Sequence, residues 1–435
     1  MWIVELVVVL FFIWLGARLG SIGIGFAGGF GVLFLGIGFG VKPGAIPVDV
    51  ILIIMGVIAA IAAMQVAGGL DYLVHIATRI LKRNPKQITF LAPVVTYTMT
   101  LFAGTGHTAF STLPVIAEVA KLNGIRPSRP LSIATVASQI AITASPISAA
   151  VVFFSSELEK VGVDYVKLLL VAIPSSFLAC MGGAVMANFL GKDLKDDPVY
   201  QERLAKGQVN MEASSEGEKE ITPAAKLSVL IFGVCLFCVV FYAMAISSTF
   251  ALIKDPILKR DDAIITFMLG AATLICLFCK VDAKNILNAA TFKSGMSACI
   301  CVLGVAWLGT TFVNAHMKEI NVFADNLLES YPWMLAVILF FAAMLLYSQA
   351  ATTKALMPAA LALGVSPVAA IAAFAAVSAL FVLPTYPTLI AAVEFDDTGS
   401  TRVGKYVFDH PFLIPGTCTI VFAVILGFVF GEIFL

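Results

Sequence analysis

Apolar stretches long enough to cross a lipid bilayer follow one another along almost the whole chain. A membrane helix needs about 20 apolar residues and rarely fewer than 17. With soft edges, such stretches fall at 2–17, 22–40, 50–70, 131–155, 167–190, 227–249, 263–279, 293–313, 368–393 and 412–434, which predicts ten spans. Hydrocarbon offers no partner to a backbone N–H or C=O, so each span must satisfy its own, and the fold class is an all-α polytopic membrane protein. Charge agrees. Of 435 residues only 12% are charged, about half the roughly 25% of a soluble domain. Mean hydropathy is +0.99. So little charge cannot coat a 46.1 kDa globule in water, which excludes a soluble enzyme and a secreted domain. The 27 basic and 27 acidic residues cancel, leaving no polybasic field for nucleic acid.

The eight Cys lie in apolar stretches. Two Cys-Leu-Phe-Cys repeats, 235–238 and 276–279, have only apolar neighbours and read as helix packing rather than metal or redox motifs. Met1–Leu15 lacks a basic start and a small-residue cleavage site, and Arg18 follows it, so it reads as the first span rather than a cleavable signal.

Two further apolar regions, 88–120 and 332–363, are interrupted in the middle. Their arms (89–103, 109–120, 332–346 and 354–363) have 15, 12, 15 and 10 residues, too few to cross. The junctions, Gly104-Thr105-Gly106-His107-Thr108 and Ser348-Gln349-Ala350-Ala351-Thr352-Thr353, have no surface-turn character. Both regions read as re-entrant hairpins with tips near the midplane, where non-helical backbone must line a site. Lys and Arg then orient the chain. With both termini outside, inner loops hold 19 basic residues and outer loops 7, with Lys354 alone in the membrane.

The chain divides into 1–190, a polar linker at 191–226, and 227–435. Each half has three spans, a hairpin and two spans. Five crossings are odd, so the halves form an inverted repeat. Hairpin 88–120 enters from the cytoplasmic side and hairpin 332–363 from the periplasmic side; the linker is cytoplasmic. Thr112-Leu113-Pro114 pairs with Leu356-Met357-Pro358, Gly124-Ile125-Arg126-Pro127 with Gly364-Val365-Ser366-Pro367, Ser138 with Ser378, and Ser145-Pro146 with Tyr386-Pro387. The prolines predict broken spans at Thr143–Pro146 and Pro384–Pro387, the strongest pointer to a transporter's site.

Two tips and two breaks would meet at the midplane. Half-helix N-termini favour an anion. The candidate site is Thr105, Gly106, His107, Thr108, Thr143, Ser145, Pro146, Ser148, Ser348, Gln349, Thr352, Thr353, Lys354, Thr385, Tyr386 and Thr388, with Gln139 also offered. Lys354, a charge at that depth, is functional by default. Two similar anion pockets suit a dianion. Na⁺ could use carbonyls and hydroxyls at the breaks; a proton would need a carboxylate or His107. No cofactor motif and no catalytic set is visible. The same architecture would also serve a carrier of another substrate, such as a cation/proton antiporter. The glycines at 16, 20, 25, 29, 36 and 40 predict close helix packing.

The stretches at 16–20, 65–71, 83–86, 104–107, 125–130, 144–152, 348–351, 383–387 and 396–402 resemble the Dcu family of anaerobic four-carbon dicarboxylate transporters of Gram-negative bacteria, part of the ion transporter superfamily. The likeness is nearer the branch carrying aspartate, fumarate and succinate than the fumarate-respiration antiporters. It implies an inner-membrane carrier of fumarate, succinate, malate and aspartate that works by uptake and exchange. It also implies homodimers with a mobile transport domain and a fixed scaffold, hairpin tips at 104–108 and 348–354, and an inner-side stretch at 396–402.

Overall fold

The expected apolar stretches are largely helical in a computed structural model of the chain, which describes all residues except 1, 20–21, 47, 212–220, 247–251, 317–330, 347, 385 and 407. No strand occurs among the described residues. The first half runs α1 (Trp2–Leu19), α2 (Gly23–Phe39), α3 (Val48–Val66), α4 (Gly69–Arg83), α5 (Ile88–Ala103), α6 (Ala109–Leu122), α7 (Ser128–Ile140), α8 (Ala149–Glu159) and α9 (Tyr165–Asn188). A short α10 (Pro198–Ala205) lies in the linker. The second half runs α11 (Pro223–Ile246), α12 (Arg260–Phe278), α13 (Ala283–Ile286), α14 (Ala290–Ala315), α15 (Met334–Leu346), α16 (Gln349–Ala362), α17 (Pro367–Phe374), α18 (Pro387–Phe395) and α19 (Leu413–Phe434).

The helices are less uniform than ten equal spans. Among the described residues, four are individually long and apolar enough to cross a membrane: α9, α11, α12 and α19. The rest are shorter, bent or interrupted. α3 stops at Val66, and α4 leaves it at 72° after Gly68, whose φ is +85°. α4 buries only Gly69, Ala77 and Leu81 and carries Lys82 and Arg83 in its last turn, so it is an amphipathic helix with one apolar stripe.

The helices pack in pairs. α2 packs on α14 and α3 on α12; α1 on α2 and α11 on α12; α5 on α7, and α15 on the segment Ala375–Phe381. α9 and α19 pack on each other. The α2–α14 contact is backbone on backbone: a Cβ at Gly304 would stand 1.8 Å from the Gly25 oxygen. Only glycine permits this approach, and dense packing is what drives helices together where lipid removes the hydrophobic term.

The buried apolar residues fall in separate cores. One joins the hairpins, the broken helices, α9 and α19. Another joins α3, α11 and α12 with Ile147, Val152 and Phe153 of the first broken span, and a third joins α1, α2 and the end of α14.

Both broken spans lie at the protein's centre. Every residue of α7 except Arg129 is buried, and so is all of Ala375–Phe381. After Ile140 a tight turn, Ala141–Thr143, ends the helix, and α8 restarts at Ala149. The second break opens well before Pro384: Ala379 has ψ 36°, and α18 restarts at Pro387. Each break frees a carbonyl, and a side chain from the start of the next span takes it. Tyr165 Oη donates to Pro146 O at 2.6 Å, and His410 Nε2 lies 3.0 Å from Val382 O.

The linker is not uniformly solvated. Leu194, Tyr200 and Val209 bury together. Asp197 pairs with Arg126 at 2.6 Å, and Lys121 pairs with Asp397 at 2.7 Å. Asp396 accepts from Thr398 N at 3.0 Å, Ser400 Oγ at 2.7 Å and Thr401 N at 2.6 Å, which closes the 396–402 loop.

Candidate functional site

Both hairpin tips reach the last turn of α7. At the first tip Gly104 turns the chain with φ +66°. Gly106 then comes so close that a Cβ would stand 3.2 Å from the Ser138 carbonyl oxygen. At the second, Gln349 Nε2 donates to the carbonyl of the next residue, Gln139, at 3.1 Å. Ser378 Oγ of the second break donates to the same oxygen at 3.3 Å. The Gln139 amide in turn donates to Thr388 Oγ1, in the first turn of α18, at 3.3 Å. Ser138–Gln139 is thus the crossing point of two tips and one broken span. Gln139 is buried, and its Oε1 has no hydrogen-bond partner among the described residues.

The second tip is more helical than its sequence suggests. Ser348 caps α16, accepting from Ala351 N at 3.2 Å, so Gln349–Thr353 form the first turn rather than an unwound junction. Lys354 is therefore one turn inside α16, beyond the part of the helix where the dipole penalises a cation most. It is 1% exposed, and its ammonium lies 5.8 Å from the Phe153 ring centroid on α8, a cation–π geometry.

Most of the expected hydroxyls have spent their proton on the protein. Thr143 donates to Ile140 O at 2.7 Å, Thr352 to Ser348 O at 2.8 Å and Thr353 to Gln349 O at 2.7 Å. Such back-bonding is ordinary in helices. Ser145 donates to Leu101 O at 2.7 Å, tying the first break to α5. Ser148 donates to Ile142 O at 2.6 Å while capping α8. Thr108 lies 3.2 Å from Thr100 Oγ1. These groups offer lone pairs, so an anion here would be held by N–H groups and Lys354 instead. α8 and α16 have serine caps; the N-termini of α6 and α18 have no side-chain cap.

Two cavities flank the first tip. One, about 360 Å³, is bounded by Gln65 and Ile61 of α3, Met99 of α5, Thr105, Thr108 and Thr291. The other, about 170 Å³, shares Ile61, Ala103, Thr105 and Thr291 and adds Gly104, Ile147 and Gly295. Gln65 Oε1 accepts from Thr291 Oγ1 at 2.7 Å across them. The structure therefore gathers the candidate residues in two groups. Thr105 and Thr108 face the cavities, with Ser145 and Ser148 behind them. Gln349 and Thr388 gather on Gln139, with Ser348, Thr352, Thr353 and Lys354 following along α16. Lys354 lines neither cavity. Tyr386 sits just before α18, and Pro146 presents its carbonyl to Tyr165. Thr385 and the side chain of His107 lie outside the described residues. Among the described residues no group of three or more His, Cys, Asp or Glu could hold a metal ion.

A model of the anaerobic C4-dicarboxylate membrane transporters matches residues 1–435. The chain belongs to that family. A Wolinella succinogenes protein named C4-dicarboxylate transporter DcuA is 64% identical over 435 residues, covering 100% of both chains. Its namesake from Escherichia coli K12 is 58% identical over 436 residues, again covering 100% of both. An E. coli O6:H1 protein named anaerobic C4-dicarboxylate transporter DcuB is 34% identical, covering 99% of this chain and 98% of its own. In fold, the chain is similar to the crystal structure of the Alcanivorax borkumensis YdaH transporter, described as having an unusual topology. The TM-score is 0.54 at 15% identity, over 86% of this chain and 84% of that one. As a member of this family, the chain is a multi-pass membrane transporter and not an enzyme.

For this Dcu-family transporter, composition marked Gln139 as an available amide but not as the crossing point. Tyr165 and His410, which seal the breaks, carried no signal beyond lying at the starts of the spans that follow each break.

Proposed function

We propose that this transporter carries four-carbon dicarboxylates (fumarate, succinate, malate and aspartate) across the bacterial inner membrane, by uptake and by exchange. The observation that carries this reading is the convergence of Gly106 and Gln349 on consecutive residues of α7, Ser138 and Gln139. Around that point lie a buried cation, Lys354, and the α6 and α18 N-termini without side-chain caps. A carboxylate gains from both kinds of group, and most where water is excluded. A dianion can reach toward both tips at once. The substrates in the relatives' printed names, C4-dicarboxylates, are of this kind.

The two halves are read as an inverted repeat with both termini periplasmic and the linker cytoplasmic, on the Lys and Arg distribution. An elevator-like division would have the hairpins, broken helices, α9 and α19 move against α1–α3 and α11–α14, with Ile147, Val152 and Phe153 of the first broken span packed on the α3–α11–α12 core at the boundary. Glycine-tight packing of α2 on α14 suits a rigid scaffold, and a second copy would extend it to a homodimer in the bilayer. A coupling Na⁺ would take the carbonyls and hydroxyl lone pairs at the breaks; a proton would use a carboxylate or His107.

The test is uptake of labelled succinate by proteoliposomes, with and without internal fumarate, at varied sodium and pH. Uptake accelerated by internal fumarate is expected. Cation or proton exchange with no succinate movement in either condition would replace this reading with that of a same-fold antiporter.

A further inference from the structure

At the end of the bundle that carries the linker, a cavity of about 290 Å³ lies apart from the hairpin tips. It is bounded by Arg126, Ser128 and Arg129 before and within the first turn of α7, by Arg402 of the 396–402 loop, and by Asp409 and His410 before α19. Three arginines border one small space, which favours an oxyanion. Arg126 and Arg129 each give some donors to Asp197 and Asp193, and Arg402 gives one to Gly399 O at 2.7 Å. Arg has five N–H donors, so each retains others.

His410 supplies the independent observation. It is buried, and Nε2 lies 3.0 Å from Val382 O. A carbonyl only accepts, so Nε2 carries the hydrogen. Burial lowers the pKa of His410, and this outweighs the opposing effects of Val382 and Asp409. The ring is neutral near pH 7, and Nδ1 is a lone-pair acceptor. It has no hydrogen-bond partner among the described residues. A buried acceptor without a donor is costly. Asp409, beside it, is another acceptor. The cavity therefore offers cations for an oxyanion and two acceptors for a donor.

We infer that this cavity is a second ligand site, outside the transport path, for a small carboxylate that also carries an ammonium or hydroxyl group. Succinate has the carboxylates without the donor; aspartate and malate have both. The inference rests on the transport reading only for the number of sites expected.

The experiment is equilibrium dialysis of the purified full chain with labelled aspartate, malate and succinate, alongside succinate exchange in proteoliposomes. Two aspartates or malates per chain are expected, against one succinate at the same concentrations. Asp409→Asn and Arg402→Ala should each reduce aspartate to one per chain, with succinate exchange within twofold of wild type. One aspartate per wild-type chain that both variants retain, or two in both variants, would overturn the second site and leave the transport site standing. One aspartate and no succinate in wild type, with both variants binding none, would keep the second site and remove the transport reading.

Discussion

The phenol of Tyr165, at the start of α9, donates to the carbonyl of Pro146 in the first broken span at 2.6 Å. That carbonyl sits where the helix is interrupted, and a phenylalanine would leave it without this donor. An unmet buried acceptor costs about 1–3 kcal/mol. Tyr165→Phe is expected to lower the melting temperature in detergent by several degrees and to slow succinate exchange several-fold. Unchanged values of both would show that the break does not need this bond.

Lys354 allows structure and function to be separated by sign. The residue is 1% exposed, and its ammonium lies 5.8 Å from the Phe153 ring centroid. A buried charge is expensive to hold, so Lys354→Met, which keeps most of the volume, should leave melting unchanged or raise it. If the ammonium binds substrate, succinate exchange should fall at least tenfold in the same variant. A drop in melting with exchange preserved would assign Lys354 to structure instead.

The hairpins and breaks were legible because their cause is local. Arms of 10–15 residues cannot span, and proline inside a span costs a backbone hydrogen bond and favours a break. The amphipathic α4 was also visible in principle, since Gly69, Leu73, Ala77 and Leu81 recur every four residues, but the neighbouring charges made it read as an inner loop. What could not be read was long-range. Lys121 and Asp397 pair across 276 positions, and Arg126 and Asp197 join a hairpin's end to the linker; any surface charge could have played either part. The Gln139 crossing depends on helix register in three dimensions. The hydroxyls were legible as residues but not as donors, because whether Thr143 or Thr353 back-bonds is set by its rotamer.

Gly304 tests the scaffold. A Cβ there would collide with the Gly25 carbonyl, whereas one at Gly233 would meet nothing within 4 Å. Overpacking of a tight contact costs roughly 1–3 kcal/mol or more, while Gly→Ala in an open helix position gains up to about 1 kcal/mol. Gly304→Ala should therefore lower melting by several degrees, and Gly233→Ala should leave it unchanged or slightly higher. Equal behaviour of the two would mean that α2 and α14 are not packed backbone to backbone.

Arg260 ties the two bodies that an elevator would have to separate. From the start of α12 it donates to Ser155 Oγ on α8 at 3.1 Å, pairs with Glu159, and lies 5.7 Å from the Tyr165 ring centroid. If α8 moves against α12 during transport, this contact forms in one state and breaks in the other. Arg260→Ala should then raise thiol labelling of a cysteine placed at Ser156 by at least threefold, with melting changed little. Labelling equal to that of the intact pair would mean that α8 and α12 do not part.

Asp197 gives a pH test with a defined sign. Burial alone would raise its pKa, but the Val199 N–H, Arg126 and Arg402 more than reverse this, and the carboxyl is held below its ordinary value. A carboxyl depressed in the folded state stabilises it at every pH above the unfolded value of about 3.9. That contribution disappears as pH falls from there through the folded pKa. Above about pH 5 the tie between linker and α7 should be constant, and wild-type melting should begin to fall below about pH 4. Asp197→Asn removes the charge at every pH and leaves Arg126 without its carboxylate, a loss of up to about 3 kcal/mol for a buried pair. The variant should melt lower than wild type at pH 7, and the difference should narrow toward pH 3. Proteolysis between 194 and 209 should accelerate in the variant over the same range. A difference that widens on acidification would mean that the pair with Arg126 does not hold the linker.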